Sequence, residues 1–272
     1  MRDPLGDALR WTRTPIVVFS LLVAAFLLLP VGIVVSTSFS AAPFLVFPPS
    51  GFTFHWYGAI VHDPQWMQPF YTSLRVGALA TALATIMGTS AALGLRRLRL
   101  RGRALAAAFV APIALPFLAY GLGLYDLVTK VSFLQNSNVP VAIGEAVLSF
   151  PIVFVIVSAG LAGIDPRITD AASTLGARWP TVVWRVELPL IKTSIIAAVL
   201  FAFSFSFDEV VMSLLMSPPD RITLPLQVYR AATESISPEL SAASTYVMAI
   251  AILILCVAAV VERHALSRLR RA

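Results

Sequence analysis

Two adjacent acids, Asp208 and Glu209, interrupt an apolar run over 193–216 that holds no other charged residue. Charge inside a membrane-length apolar segment is costly, so it marks a candidate pathway or relay. Ser204 stands four residues before Asp208 and shares its face on a continuous helix, whereas Glu209 turns about 100° away. Phe201 and Phe205 line a further face. A carboxylate beside aromatic rings would hold an amine cation through charge pairing and cation–π attraction. The competing use of such an acid is a structural pair with an arginine of a neighbouring helix, such as Arg75. Counted from Ile191 at about 1.5 Å per residue, Asp208 lies roughly 25 Å along, toward the outer leaflet.

Other chemistries lack their residues. A phosphate-cradling loop would end in Gly-Lys-Ser/Thr. The two lysines are Lys130, followed by Val131, and Lys192, preceded by Leu190 and Ile191 with no glycine. The chain therefore has no nucleotide site of its own. His55, His62 and His264 do not cluster with the sole cysteine, Cys256, so no metal set and no disulfide are expected. No histidine lies within a span to activate a serine nucleophile.

The elements that position the acids must be membrane helices. With 58% hydrophobic and 12% charged residues, the 272-residue chain cannot coat a soluble globule. Apolar runs near 16–36, 76–95, 104–125, 146–163, 193–216 and 241–261 predict six spans. The first run is too long for a cleaved leader and reads as a retained anchor. In the second, Ala80, Ala84, Gly88 and Ala92 recur every four residues and form a packing seam, used within the chain or against a second subunit. Pro112 and Pro116 predict a bend in the third. The segment between the first two spans is rich in aromatics, among them Phe44, Phe47, Phe52, Phe54, Trp56, Tyr57, Trp66 and Phe70, and reads as an interfacial belt or a recognition surface. No internal repeat or linker divides residues 1–272, so one membrane domain is expected.

Basic residues mark the inner side of a membrane protein. With the N-terminus inside, the inner segments hold Arg2, Arg10 and Arg13; Arg96, Arg97, Arg99, Arg101 and Arg103; Arg167, Arg178, Arg185 and Lys192; and Arg263, Arg268, Arg270 and Arg271. Only Lys130, Arg221 and Arg230 fall outside, with Arg75 at a boundary. Both termini are thus expected in the cytoplasm. The net charge of +6 is a topological charge, and nucleic acid is not expected as a partner.

On that inner side lies an ordered loop, about 164–190, containing DAASTLGARWPTVVWRVELP. Alanines and a leucine favour a helix from Asp170 to Leu175, Gly176 suits a left-handed cap, and Pro180 suits the start of a second helix. A reversal that only returns the chain needs no such order, so docking is expected.

This pattern resembles the cytoplasmic signature loop of ATP-binding-cassette importer permeases: Glu-Ala-Ala, three residues, Gly, nine residues, then Ile, one residue and Leu-Pro. Here Asp170, Ala171 and Ala172 are followed by Gly176 and then by Val186, Glu187, Leu188 and Pro189, with Asp for Glu and Val for Ile. FTFHWY from Phe52, SFDEVV from Ser206, TLPLQVY from Thr223, ISPEL and STYVM look like the shorter permease of spermidine/putrescine-type importers, and the resemblance covers roughly 39–261. It implies an all-α, six-span permease of the type I importer class, moving a polyamine or related organic cation by alternating access. Asp170, Ala171, Ala172, Gly176, Leu188 and Pro189 would then couple to the ATPase. The implied partners are a second homologous permease, two cytoplasmic ATPase subunits that bind ATP and Mg, an extracytoplasmic solute-binding protein, and the lipid bilayer of a bacterial inner membrane. The chain itself needs no cofactor. Alternatives are an ion-coupled transporter that works without an ATPase, and a same-family importer of amino-acid derivatives or phosphonates.

Overall fold

The computed structural model describes residues 4–98, 102–234 and 237–269. Arg2, Arg99, Arg101, Arg270, Arg271 and Ile236 lie outside the described residues, as do the side chains of Arg10, Arg13, Arg103, Arg263, His264 and Arg268. In chain order the helices are α1 (Pro4–Ser38), α2 (His55–His62), α3 (Pro64–Leu98), α4 (Gly102–Val110), α5 (Phe117–Thr129), α6 (Val139–Ala162), α7 (Pro166–Thr174), α8 (Trp179–Val182), α9 (Leu188–Leu190), α10 (Lys192–Asp208), α11 (Val211–Met216), α12 (Leu224–Glu234) and α13 (Pro238–Leu269). Among the described residues the only β pairing is an isolated bridge between Ser40 and Phe52.

Among the described residues three of the expected apolar segments are unbroken helices long enough to span: Pro15–Ser38, Pro64–Leu98 and Val139–Ala162. Two are bent pairs. Ala104–Ala114 meets Phe117–Thr129 at 96°, and Trp179–Leu190 meets Lys192–Asp208 at 73°. Pro112 and Pro116 account for the first break, since neither donates a backbone hydrogen bond and each restricts its predecessor. The sixth begins with the apolar stretch Pro238–Leu253.

The chain divides into two compact units. The smaller holds α1, α2 and the start of α13. Within it Trp56 Nε1 donates to the Ser40 carbonyl at 2.8 Å, Ser38 Oγ and Tyr57 Oη share a hydrogen bond of 2.6 Å, and Thr37 Oγ1 donates to Ser241 Oγ at 3.2 Å. Phe44, Phe47, Phe52 and Phe54 are exposed, as either an interfacial belt or a recognition surface requires. Trp66 departs from that group. It is buried in the first turn of α3.

The larger unit is built on α3, α6 and α10. Buried positions of α3 include Val76, Ala80, Ala84, Gly88 and Ala92, a single stripe at helical spacing. Those of α6 lie on every face, which makes it the central helix. The small-residue seam is used inside the chain. A β-carbon on Gly88 would sit 2.6 Å from Val153 Cγ1 and 3.1 Å from the Phe154 nitrogen of α6, so only glycine permits this approach.

Candidate coupling loop and substrate path

Asp165 opens the inner loop by accepting the Arg167 N–H at 2.9 Å, and Pro166 occupies the first turn of α7. The helix thus starts four residues before the expected Asp170. It closes at Gly176, whose φ is +83°. The Ala177 N–H reaches the Ala172 carbonyl at 3.1 Å and the Gly176 N–H reaches that of Ser173 at 3.0 Å. These two bonds form a Schellman cap, which needs a left-handed residue at that point. No residue of α7 is buried, and Leu175 beside the turn is 89% exposed. Asp170, Ala171 and Gly176 all face outward, with Ala172 half-buried. The loop is therefore ordered by its own caps while presenting its surface.

After the turn, α8 starts at Trp179 with Pro180 in its first turn, passes through a π-helical turn at Val183–Glu187 and continues as α9. Leu188 is half-buried and Pro189 exposed. This rod is tied to the bundle by residues that the sequence marked only as inner-side charges. Arg96 Nε lies 3.4 Å from the Glu187 carboxylate, while Arg96 Nη1 donates to the Leu161 carbonyl at the end of α6. The Arg97 guanidinium lies 5.4 Å from the centroid of the Trp179 ring. One helix end thus grips both ends of the rod. A cavity of about 380 Å³ separates the rod from Thr85 and Thr89 of α3.

The structure alters the expected arrangement around Asp208 and Glu209. The run 193–216 is not one helix: α10 ends at Asp208, Glu209 adopts extended backbone, and α11 follows. The Glu209 carboxylate accepts the N–H groups of Val211 at 2.8 Å and Met212 at 2.7 Å. Satisfying free donors at the start of a helix costs less than burying a bare carboxylate within one, which explains the break. Glu209 is buried and Asp208 exposed. Ser204 is in register with Asp208 on α10, but its hydroxyl is buried without a partner. Phe201 is exposed, and Phe205 meets the edge of Phe117 at 6.1 Å. Phe201, Ser204, Phe205 and Asp208 are therefore not gathered into one lined site. Arg75 is exposed, and among the described residues it forms no ion pair with either acid.

A third acid escaped the sequence reading. Glu145 falls one residue before the expected span 146–163, but α6 begins at Val139 and carries it into the core, fully buried. Ser206 of α10 donates to Glu145 Oε2, while Glu145 Oε1 has no partner. Asn138 followed by Pro140 is a helix-start signal that would have found it.

Bent apolar spans around a central helix, with a capped and exposed loop between two of them, define a polytopic membrane permease. A family profile described as "Binding-protein-dependent transport system inner membrane component" matches residues 80–271, and the chain belongs to this family. It is 26% identical over 246 residues to the spermidine/putrescine transport system permease protein PotC of Escherichia coli (strain K12), spanning 90% of this chain and 92% of that one. It is 30% identical over 239 residues to the putrescine transport system permease protein PotI of the same organism, spanning 85% of each. The fold is similar to a chain of a bacterial ABC transporter involved in import of the acidic polysaccharide alginate, with a TM-score of 0.77, 12% identity, and coverage of 96% and 99% of the two chains. The protein is thus a multi-pass inner-membrane permease subunit of a binding-protein-dependent importer.

Proposed function

We propose that the chain carries a polyamine such as putrescine or spermidine, driven by cytoplasmic ATPase subunits that dock on the 166–190 loop. The observation that carries the docking is the loop itself. It is held in shape by the Asp165 and Gly176 caps, exposed along α7, and fastened to the bundle by Arg96 and Arg97. Such a loop transmits a push on α7 through the 179–190 rod to α10, which it meets at 73°. Asp170, Ala171, Ala172 and Gly176 form the docking face, and Leu188 with Pro189 the elbow. Both termini and this loop face the cytoplasm, in keeping with the excess of Arg and Lys there. A second permease completes the pathway, two ATPase subunits bind ATP and Mg, and an extracytoplasmic binding protein delivers the cargo. The polyamine assignment draws on the names of PotC and PotI and on Asp208, an exposed acid at the end of a span.

Co-reconstitution of the chain with its partner subunits in liposomes tests the reading. ATP-dependent uptake of putrescine or spermidine from the binding protein is the expected result. Transport by the purified chain alone down an ion gradient would overturn it.

A further inference from the structure

A cavity of about 480 Å³ opens in the larger unit between one end of α3, the start of α6 and the turn at 220–221. Two guanidinium groups line it, Arg75 of α3 and Arg221 of the turn, with a single carboxylate, Asp220. Asp220 Oδ2 is 3.2 Å from Arg221 Nε, whereas among the described residues Arg75 is exposed and forms no ion pair. Arg221 is held in place by the opposite wall: its Nη1 donates to the Asn136 carbonyl at 3.4 Å, and its own carbonyl accepts from Asn138 Nδ2 at 2.9 Å. Gln68, Tyr71 and Thr72 add further polar groups to the lining. The cavity thus has a net positive charge and donors left over, which suits an anion and not a cationic cargo.

Position along α3 narrows the choice of anion. At about 1.5 Å per residue Arg75 stands roughly 30 Å from Arg96, the thickness of a hydrocarbon core. With Arg96 at the inner boundary, Arg75 lies at the level of the outer headgroups. One turn toward solvent, Tyr71 exposes an amphipathic ring of the kind that settles at this level. One turn deeper the lining becomes apolar. Leu79 of α3 and Val139 of α6 are both exposed there, and Ile143 follows one turn further along α6. The same face changes from guanidinium to hydrocarbon over a single turn, which matches a molecule with an anionic head and apolar tails. An acidic side chain of a soluble partner would satisfy only the upper half.

We infer that this cavity is a phospholipid site of the outer leaflet, in which Arg75 and Arg221 hold the phosphodiester of an anionic headgroup while Leu79, Val139 and Ile143 meet its acyl chains. The assignment rests on the topology proposed above and is independent of the cargo. A guanidinium grips two phosphate oxygens at once through its planar fork, and Arg75 has that fork unused. Two arginines against one aspartate leave one positive charge, which matches phosphatidylglycerol better than zwitterionic phosphatidylcholine.

The test offers the purified complete complex equal amounts of phosphatidylglycerol and phosphatidylcholine and counts retained lipids by native mass spectrometry. Wild type is expected to keep phosphatidylglycerol in preference. Arg75→Gln and Arg221→Gln should each lower that preference at least about fivefold, the size of one arginine acting on an anionic lipid surface. Lys130→Gln, a cation outside the cavity lining, should leave it unchanged. Equal retention of the two lipids by wild type, or an equal loss in Lys130→Gln, overturns the assignment. Wild-type retention in Arg75→Gln with loss of binding-protein-stimulated ATPase activity also overturns it, because the cavity would then be a contact for the binding protein. Inorganic phosphate should leave the thermal stability of wild type unchanged, and a rise equal to that given by phosphatidylglycerol would overturn the lipid in favour of a free anion. Topology is read separately: in a Cys256→Ala background, an impermeant maleimide added outside spheroplasts should label Asp220→Cys. Labelling only after lysis would overturn the outer-leaflet placement, while headgroup recognition is still read from Arg75→Gln.

Discussion

Arg96 and Glu187 provide a direct test of how the inner loop is joined to the bundle. At the observed 3.4 Å, two unit charges at an effective dielectric constant of about 20 attract by roughly 5 kcal/mol before desolvation is counted. The Glu187 side chain is 9% exposed and that of Arg96 is 23% exposed, so desolvation takes back a large part of this. Removing only the arginine is a different perturbation. Arg96→Met keeps the aliphatic stem but leaves the buried Glu187 carboxylate without its ion-pair partner and the Leu161 carbonyl without its donor. Breaking a buried pair from one side costs about 3–5 kcal/mol, and partial solvent access to Arg96 places this case near about 3 kcal/mol. Glu187→Gln keeps a hydrogen-bonding group and should cost about 1–2 kcal/mol. The two together should cost less than their sum by about 1–2 kcal/mol, because the second change removes what the first left stranded. Thermal unfolding of the purified complex reads the cycle, and moles of cargo moved per ATP hydrolysed read its mechanical consequence. Arg96→Met should lower that ratio at least about fivefold while ATP turnover continues. A coupling energy below about 0.5 kcal/mol, with transport per ATP unchanged, would refute the clamp.

Gly176→Val should uncouple ATP hydrolysis from transport without blocking insertion. No atom lies within 4 Å of an added β-carbon, so the cost comes from the +83° φ, about 1–2 kcal/mol for a β-branched residue. Gly176→Asn, which tolerates that region, should keep more of the coupling, and wild-type coupling in the valine variant would sink the docking claim. Asp208→Asn should reduce uptake of a cationic cargo severalfold while leaving assembly intact, and unchanged uptake kinetics would retire Asp208 as a pathway residue. Gly88→Leu should prevent α3 from seating on α6, because even a β-carbon would stand 2.6 Å from Val153. Normal yield and thermal stability of that variant would contradict the internal use of the seam.

What was legible in the chain before folding was whatever depends on local residue order. The apolar segments follow from composition over about 20 residues. The reversal at Gly176 follows from a helix-forming stretch, a glycine and a proline four residues after it, and the Schellman bonds formed there need no distant partner. The bend at Pro112 and Pro116 is equally local. Element starts were less legible. Asp165 and Pro166 set the start of α7, and Asn138 with Pro140 that of α6, yet each lies outside the apolar or patterned stretch that drew attention.

The sequence by itself therefore determined a polytopic helical permease with an ordered inner loop, because hydrophobic length, capping residues and turn residues act over a few neighbours. Tertiary structure decided which charges matter to one another. Arg96 and Glu187 are far apart in the chain and meet only because α3 and the 179–190 rod converge. Glu145 meets Ser206 only because α6 packs on α10. Glu209 finds its donors only because the chain breaks after Asp208. The energy of a charge depends on its burial and its partners, and both are set by packing between segments distant in sequence.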